Sequence, residues 1–403
     1  MTTSEVEMGP DADRPGNGGE AGDRADVVVV GGGVYGTSIL FQLARAGIAA
    51  TLVERHRLAD GPTGRSSANV RLHYTTPEMA EIAWQSFQIT SRFRELVGAD
   101  NSFMQVGVLY GVQPEHAAVF ETNVARLAAA GEPIETRTVA EMTDIAPGFV
   151  LDGIALGVWE PQSGYADPVG TSLGFADAAR RLGATVRVDT PVAAITTENG
   201  SVAGVRLADG TQIRSSRVVV AAGPWSRPLV ATVGVSLPTY PERHAISLVA
   251  APDEARAIVP CVWSDRVRRY YARPEGESLV LLGGTTSRTY RVDDPDAVDA
   301  RVPLEESAEH LERASPRIPA LAGLGVRPGY AAAYDMSPDS FPIVDAVPGK
   351  AGLFVVAGTS GHGFKLAPGL GALAADLILG RRSELLEPLR FDRDFSPTGE
   401  LSA

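Results

Sequence analysis

The chain has 403 residues, enough for two domains and a large core, and its 44% hydrophobic and 21% charged residues are those of a globular protein. A net charge of −13 argues against nucleic acid or an anionic membrane surface as partner. The single Cys261 rules out an intrachain disulfide and a cysteine-cluster metal site, and the six histidines show no i,i+4 or HExxH spacing, so no metal is expected.

Residues 1–23 are acidic and rich in Gly, Asp and Pro, and read as a disordered tail. They lack a basic region followed by an apolar run, so they do not read as a signal peptide. No run approaches the roughly 18 apolar residues of a membrane helix, and a cytoplasmic protein is expected. The first structured segment, "ADVVVVGGGVYGTSILFQLARAGIAATLVE", is the most informative. Val27 to Val30 is an all-apolar run, as for a central parallel strand buried on both faces. Gly31, Gly33 and Gly36 complete GxGxxG around Val34 and Tyr35, and apolar spacing from Gly36 to Ala46 predicts a helix. A second strand runs from Ala49 to Glu54. Glu54 ends it 23 positions after Gly31, placed to accept the ribose hydroxyls of an adenosine, with Arg55 beside it. The glycines allow close backbone approach, and the helix N-terminus offers unpaired N–H groups to a pyrophosphate. The motif calls for an ADP-containing dinucleotide; by itself it does not choose between FAD and NAD.

A Gly/Ser/Arg loop, "RHRLADGPTGRSSANVRLHY", follows in place of the next strand of a nicotinamide-type domain. "DPVGTSLGFADAARRLG" predicts a helix capped by Asp167 with Pro168 at its first position. Two hairpins are expected, turning at Asp209-Gly210 and Glu275-Gly276. A strand at Val218 to Ala221 leads into Gly223, Pro224 and Trp225. The last motif, "AGLFVVAGTSGHGFKLAPGLGALAADLILG", is strand (Leu353 to Ala357), Gly-rich turn, then a helix from about Pro368 to Leu379. Lys365 in that turn is one of only two lysines, with Lys350, among 36 basic residues.

The fingerprint, "VVVAAGPWS" and "DSFPIVD…GLFVVAGTSGHGFKLAPGLG" together resemble the sarcosine oxidase branch of the D-amino-acid-oxidase family of flavoproteins, over Asp26 to Leu379. The resemblance implies an α/β fold: a Rossmann-type FAD-binding domain (24–100, 165–243 and 326–385) interleaved with an antiparallel-sheet substrate domain (101–164 and 244–325), then a C-terminal tail from 386 to 403. It also implies FAD at Arg65, Ser66, Ser67, Val192, Ala222, Gly223 and Trp225, and at the turn of Gly358, Gly361, His362, Gly363, Phe364 and Lys365. By the same resemblance, Lys365 sits at the flavin's face and grips a substrate carboxylate together with Arg71. A planar guanidinium would orient the carboxylate and the ammonium would add point charge. His362 is read as a hydrogen-bonded neighbour of the flavin ahead of a general base, and Tyr271 as the tyrosine facing substrate.

Three departures qualify the resemblance. The position of the cysteine that holds flavin covalently in some relatives is Ala332, so FAD is expected to be non-covalent. A lysine that oxidases carry over the flavin corresponds to Leu281, which leaves O2 or another electron acceptor open. A second carboxylate arginine corresponds to Ala68. The expected activity is hydride transfer from a secondary or N-methylated amino acid, or a related amine, to flavin N5. A 2-hydroxy acid, a primary amino acid or a secondary-metabolite amine remains an alternative substrate. So does a non-catalytic flavin-binding subunit, and oligomers or a partner subunit stay open.

Overall fold

The computed structural model describes residues 23–252 and 254–396. The expected tail therefore lies outside the described residues except for Asp23, which opens the two-residue strand Asp23–Arg24, paired in parallel with Gln212–Arg214.

A six-stranded sheet carries the nucleotide fingerprint, in the order Ile343–Ala346, Leu353–Ala357, Val218–Val220, Val27–Val30, Ala50–Val53, Thr185–Arg187. All neighbours run parallel except the edge strand Ile343–Ala346. The four-valine strand is fully buried because both its faces are covered. Val27 and Val29 pack towards the helices Val34–Arg45, Pro168–Arg181 and Gly363–Ile378. Val28 and Val30 pack, with Val218 and Val220, on a four-stranded sheet that contains Val192–Glu198 and Ser201–Leu207. The hairpin expected at Asp209-Gly210 is present, with Gly210 at φ +89° and Asp209 Oδ1 accepting from Thr211 N at 2.9 Å.

The second layer is a nine-stranded sheet of residues from 108 to 336. It is antiparallel except where Val108–Val112 meets Val262–Asp265 in parallel, the junction at which the sheet's two chain segments come together. The antiparallel sheet expected from the sequence is thus present, with this one parallel pair within it. The strand Val326–Met336, assigned from sequence to the third FAD segment, runs along Tyr240–Ala250 as part of this same sheet. The segment from 386 is not a tail as far as 396. Glu384–Leu389 forms a 3-10 helix that buries Leu386 and Leu389, and Arg393 makes a two-pronged pair with Asp339 at 2.7 and 3.0 Å. Residues 397–403 lie outside the described residues.

One boundary matters for the site. The last helix begins at Gly363, five residues before Pro368. A proline inside a helix removes a donor and crowds the preceding turn. Here Ser86, from helix Pro77–Ser91, repairs the ladder: its hydroxyl donates to the Leu366 carbonyl at 3.0 Å and accepts from Gly369 N at 2.9 Å. Lys365 thus stands in the first turn of a helix instead of in the loop before it.

Among the described residues no helix is long and apolar enough to cross a membrane.

Candidate active site

A groove of about 640 Å³ crosses the carboxyl ends of the parallel strands. It is lined by most of the residues singled out for the cofactor: Gly31, Gly33, Val34, Tyr35, Glu54, Arg55, Arg65, Ser66, Ser67, Val192, Ala222, Gly223, Trp225, Gly361, Gly363, Phe364 and Lys365. Three of the expected set do not line it. Gly36 lies beneath the turn, where a Cβ would run into the Gly31 carbonyl, so its role is to let the helix seat on the turn. Gly358, at φ +65°, gives its N–H to Asp335 Oδ2 at 2.6 Å. His362 faces a second cavity.

Local bonds shape the groove. Glu54 Oε2 accepts from Gly32 N at 2.6 Å and Oε1 from His56 N at 2.9 Å, so this carboxylate braces the fingerprint loop as well as facing the groove. Arg65 donates to the Asp60 and Gly61 carbonyls of its own loop. Arg55 lies 4.1 Å from the Trp225 ring centroid and pairs with Asp296 at 2.7 Å, and Trp225 Nε1 also donates to Asp296 at 3.0 Å. Asp296 comes from the substrate-side segment and ties it across the groove; nothing local in the sequence marks it.

A polar dinucleotide fits this groove. Tyr35 Oη, Asn69 Oδ1 and Asp335 Oδ1 all belong to groove-lining residues, and all three atoms are buried without a hydrogen-bond partner. Buried polar atoms are rarely left in that state without a ligand or solvent to meet them. Ala331, Ala332 and Ala333 line the groove with no nucleophile, while Cys261, just before strand Val262–Asp265, is buried outside the groove lining and burial pushes its thiol up to about 12. Acid precipitation of the holoprotein is therefore expected to leave the yellow colour in the supernatant; a yellow pellet would show a covalent bond.

Asp335 adds a pH signature. Burial raises its carboxyl from 3.8 to about 7. The folded state then holds the proton more tightly than the unfolded one, so stability falls as pH rises from about 4 to about 7 and is level above that. Asp335→Asn lacks this titration. The apoprotein variant is expected to gain on wild type across that window, by at most ~4 kcal/mol, read as the difference in thermal midpoint. A difference independent of pH would contradict it.

The surroundings of Arg71 are organised by a buried carboxylate the sequence did not flag. Glu160, on strand Leu156–Glu160, accepts from Leu72 N and His73 N, both at 2.8 Å, from Ser163 Oγ at 2.6 Å and from Tyr110 Oη at 3.2 Å. These bonds fix the backbone that follows Arg71. The Arg71 guanidinium donates to the His73 carbonyl, approaches His362 Nδ1 at 3.2 Å and lies 4.6 Å from the Tyr74 ring centroid. Tyr74 Oη is also 3.2 Å from His362 Nδ1. With two donors at Nδ1, that nitrogen accepts and Nε2 carries the proton. Burial, then Lys365 and Arg71, push the imidazole well below its usual value, so His362 is neutral. Lys365 Nζ donates to the Gly361 carbonyl at 3.3 Å. Burial and then Arg71 push its ammonium well down. Arg71, His362 and Lys365 are thus brought together.

Tyr271 joins them from the sheet. It lines the second cavity, and burial raises its hydroxyl above the usual value while Ser67 and Tyr334, both groove residues, act on it from the other side. Its cross-strand partner is Gly283, whose missing side chain is where the Tyr271 ring lies. Leu281, two residues earlier on that strand, is fully buried and does not line the groove. Opposite it, Arg273 is 4% exposed and donates to the Ser67 carbonyl at 2.9 Å, a buried cation on the groove loop that sequence reasoning missed.

A family model described as DAO, FAD dependent oxidoreductase, matches residues 26–377. The 4-methylaminobutanoate oxidase (formaldehyde-forming) of Paenarthrobacter nicotinovorans is 28% identical over 359 residues, covering 87% of this chain and 43% of that protein. The chain thus spans less than half the length of that relative. Glycine oxidase of Geobacillus kaustophilus is 25% identical over 387 residues, covering 93% of this chain and 99% of that enzyme. Among solved structures, L-proline dehydrogenase from P. horikoshii superposes with a TM-score of 0.83 at 25% identity, covering 90% and 96% of the two chains.

Proposed function

Because the chain belongs to the DAO family of FAD-dependent oxidoreductases, we propose that it oxidises the C–N bond of a secondary or N-methylated amino acid, or of a related amine. The observation that carries this reading is that Arg71 meets neutral His362, which lines the second cavity, while Lys365, three residues on, lines the cofactor groove. Gly31, Gly33, Glu54, Ser66 and Ser67 line the groove that would hold FAD, which would supply a hydride acceptor for the carbon next to nitrogen.

The chain's own residues set the conditions for that step. Arg71 gives donors to the His73 carbonyl and to His362 and lines neither the groove nor the second cavity, so in this reading a carboxylate meets the rest of its five-donor fork beside His362. Lys365 adds a second cation, and a carboxylate arriving beside it favours the charged ammonium that desolvation opposes. The same two cations disfavour a protonated amine nearby, so they hold the substrate nitrogen neutral with its lone pair free to stabilise the imine. His362 keeps Nδ1 occupied and presents Nε2–H as a donor, which makes it a positioning group. Water would hydrolyse the imine, and O2 or another acceptor would take up the electron pair.

The test is product stoichiometry on a panel of N-methylated and cyclic amino acids, with O2 and an artificial acceptor. One carbonyl product is expected per acceptor molecule reduced, with formaldehyde and the demethylated amino acid from an N-methyl substrate. Turnover of 2-hydroxy acids without turnover of any amine would overturn the proposal.

A further inference from the structure

The second cavity, of about 670 Å³, has His362 and Tyr271 among its walls and continues along the turn between strands Val262–Asp265 and Tyr270–Glu275. Its charged lining is lopsided: Arg266, Arg268, Arg269 and Arg313 against the single carboxylate Asp265. Asp265 is committed elsewhere. It is buried, pairs with buried Arg317 at 2.8 Å, and accepts from Arg268 N at 2.8 Å. Its charge therefore serves the turn's backbone and an internal partner. Arg313, from helix Leu304–Ala314, donates to the neutral Thr285 carbonyl. Arg266 is near enough to the inner end that its charge helps depress both His362 and His73.

In a chain of net charge −13, a cavity wall of this sign is a local exception. Arg268 and Arg313 bring two guanidinium groups to one cavity, and their repulsion is relieved when an anion enters. His362, which Arg71 approaches, lines this cavity together with Arg268 of the turn and Arg313 of helix Leu304–Ala314.

Building on the amino-acid reading above, we infer that this cavity receives a second anionic group of the substrate, a carboxylate or a phosphate, borne on the chain distal to the oxidised C–N bond. The substrate class is then an acidic amino acid: one carboxylate held by Arg71 and Lys365, a second anion by the arginine wall. Bidentate geometry suits guanidinium to either anion.

The test titrates the FAD holoenzyme with non-oxidisable acids at constant ionic strength, reading perturbation of the flavin absorption band. Monoacids (propionate, butyrate, pentanoate) are compared with the diacids of equal length (malonate, succinate, glutarate) and with 3-phosphonopropionate. At least one diacid or the phosphono acid is expected to bind about tenfold or more tighter than the matching monoacid. That ratio is expected to fall at least about fivefold in Arg268→Ala and in Arg313→Ala. Tighter binding of succinate names a distal carboxylate, and tighter binding of 3-phosphonopropionate names a phosphate. Diacids no tighter than monoacids, or a ratio that survives in both variants, overturn the inference while leaving the amine-oxidation proposal intact. If no acid of either kind perturbs the flavin, the carboxylate clamp itself falls, and both readings with it.

Discussion

Replacing Lys365 with methionine is expected to raise the KM for an amino-acid substrate at least about tenfold, and Arg71→Met should do the same or more. A hydrogen bond to a charged group contributes ~1.5–3 kcal/mol, which corresponds to roughly 10- to 150-fold in affinity. Lys365 is the cleaner test. Its ammonium makes one contact, a 3.3 Å bond to the Gly361 carbonyl, so its loss costs the fold little. Arg71 is more entangled, because its guanidinium also holds the His73 carbonyl and His362 Nδ1. Arg71→Met should therefore lower kcat as well as raise KM, by releasing the imidazole, whereas Lys365→Met should act on KM first. The two share one carboxylate, so the double variant should lose less than the sum of the single losses. A change below about twofold in both single variants would remove the carboxylate clamp.

Gly36→Ala is expected to abolish FAD retention. A Cβ at this position would fall deep inside the contact distance of the Gly31 carbonyl, a backbone atom in the turn that approaches the cofactor. No rotamer relieves a clash between two backbone-fixed atoms, so the turn or the helix Val34–Arg45 must move. Gly47→Ala is the control. It lies at φ +75° with open space around it, so it pays only the strain of the left-handed conformation, ~1 kcal/mol. The expected result is a purified Gly36→Ala protein with little flavin absorbance at 450 nm or so, beside a Gly47→Ala protein with a full complement. Comparable flavin content and thermal midpoint in both would contradict the role given to the fingerprint turn.

The nucleotide half of the molecule was legible because its signals are local. A valine run buried on both faces, glycines that only a tight turn needs, and an acid at the second strand's end all lie within 28 residues, Val27 to Glu54. The same holds for the hairpin turns, where one glycine with positive φ marks each reversal. The helix start at Gly363 was misread because Pro368 carries the ordinary penalty, and its relief comes from Ser86, 283 residues away from Gly369. Glu160, Asp296 and Arg273 were invisible for the same reason. Each is an ordinary charged residue in an ordinary strand or loop, and only tertiary placement gives it four donors, a strap across the groove, or a groove-loop carbonyl. The pairing of the segment from 326 was not legible for another reason. A strand with three consecutive alanines between Tyr330 and Tyr334 does not declare which of two neighbouring sheets it joins, and its pairing with Tyr240–Ala250 is set by that partner.

The central claim is that Arg71, His362 and Lys365 present an amino-acid C–N bond to bound FAD. The most direct measurement is the visible spectrum of the holoenzyme under anaerobic conditions, before and after adding N-methylated and cyclic amino acids. Bleaching of the flavin bands by at least one of them, weakened in Lys365→Met at the same concentration, is the result expected. A flavin that stays oxidised with every amine, while a 2-hydroxy acid bleaches it, would contradict the claim.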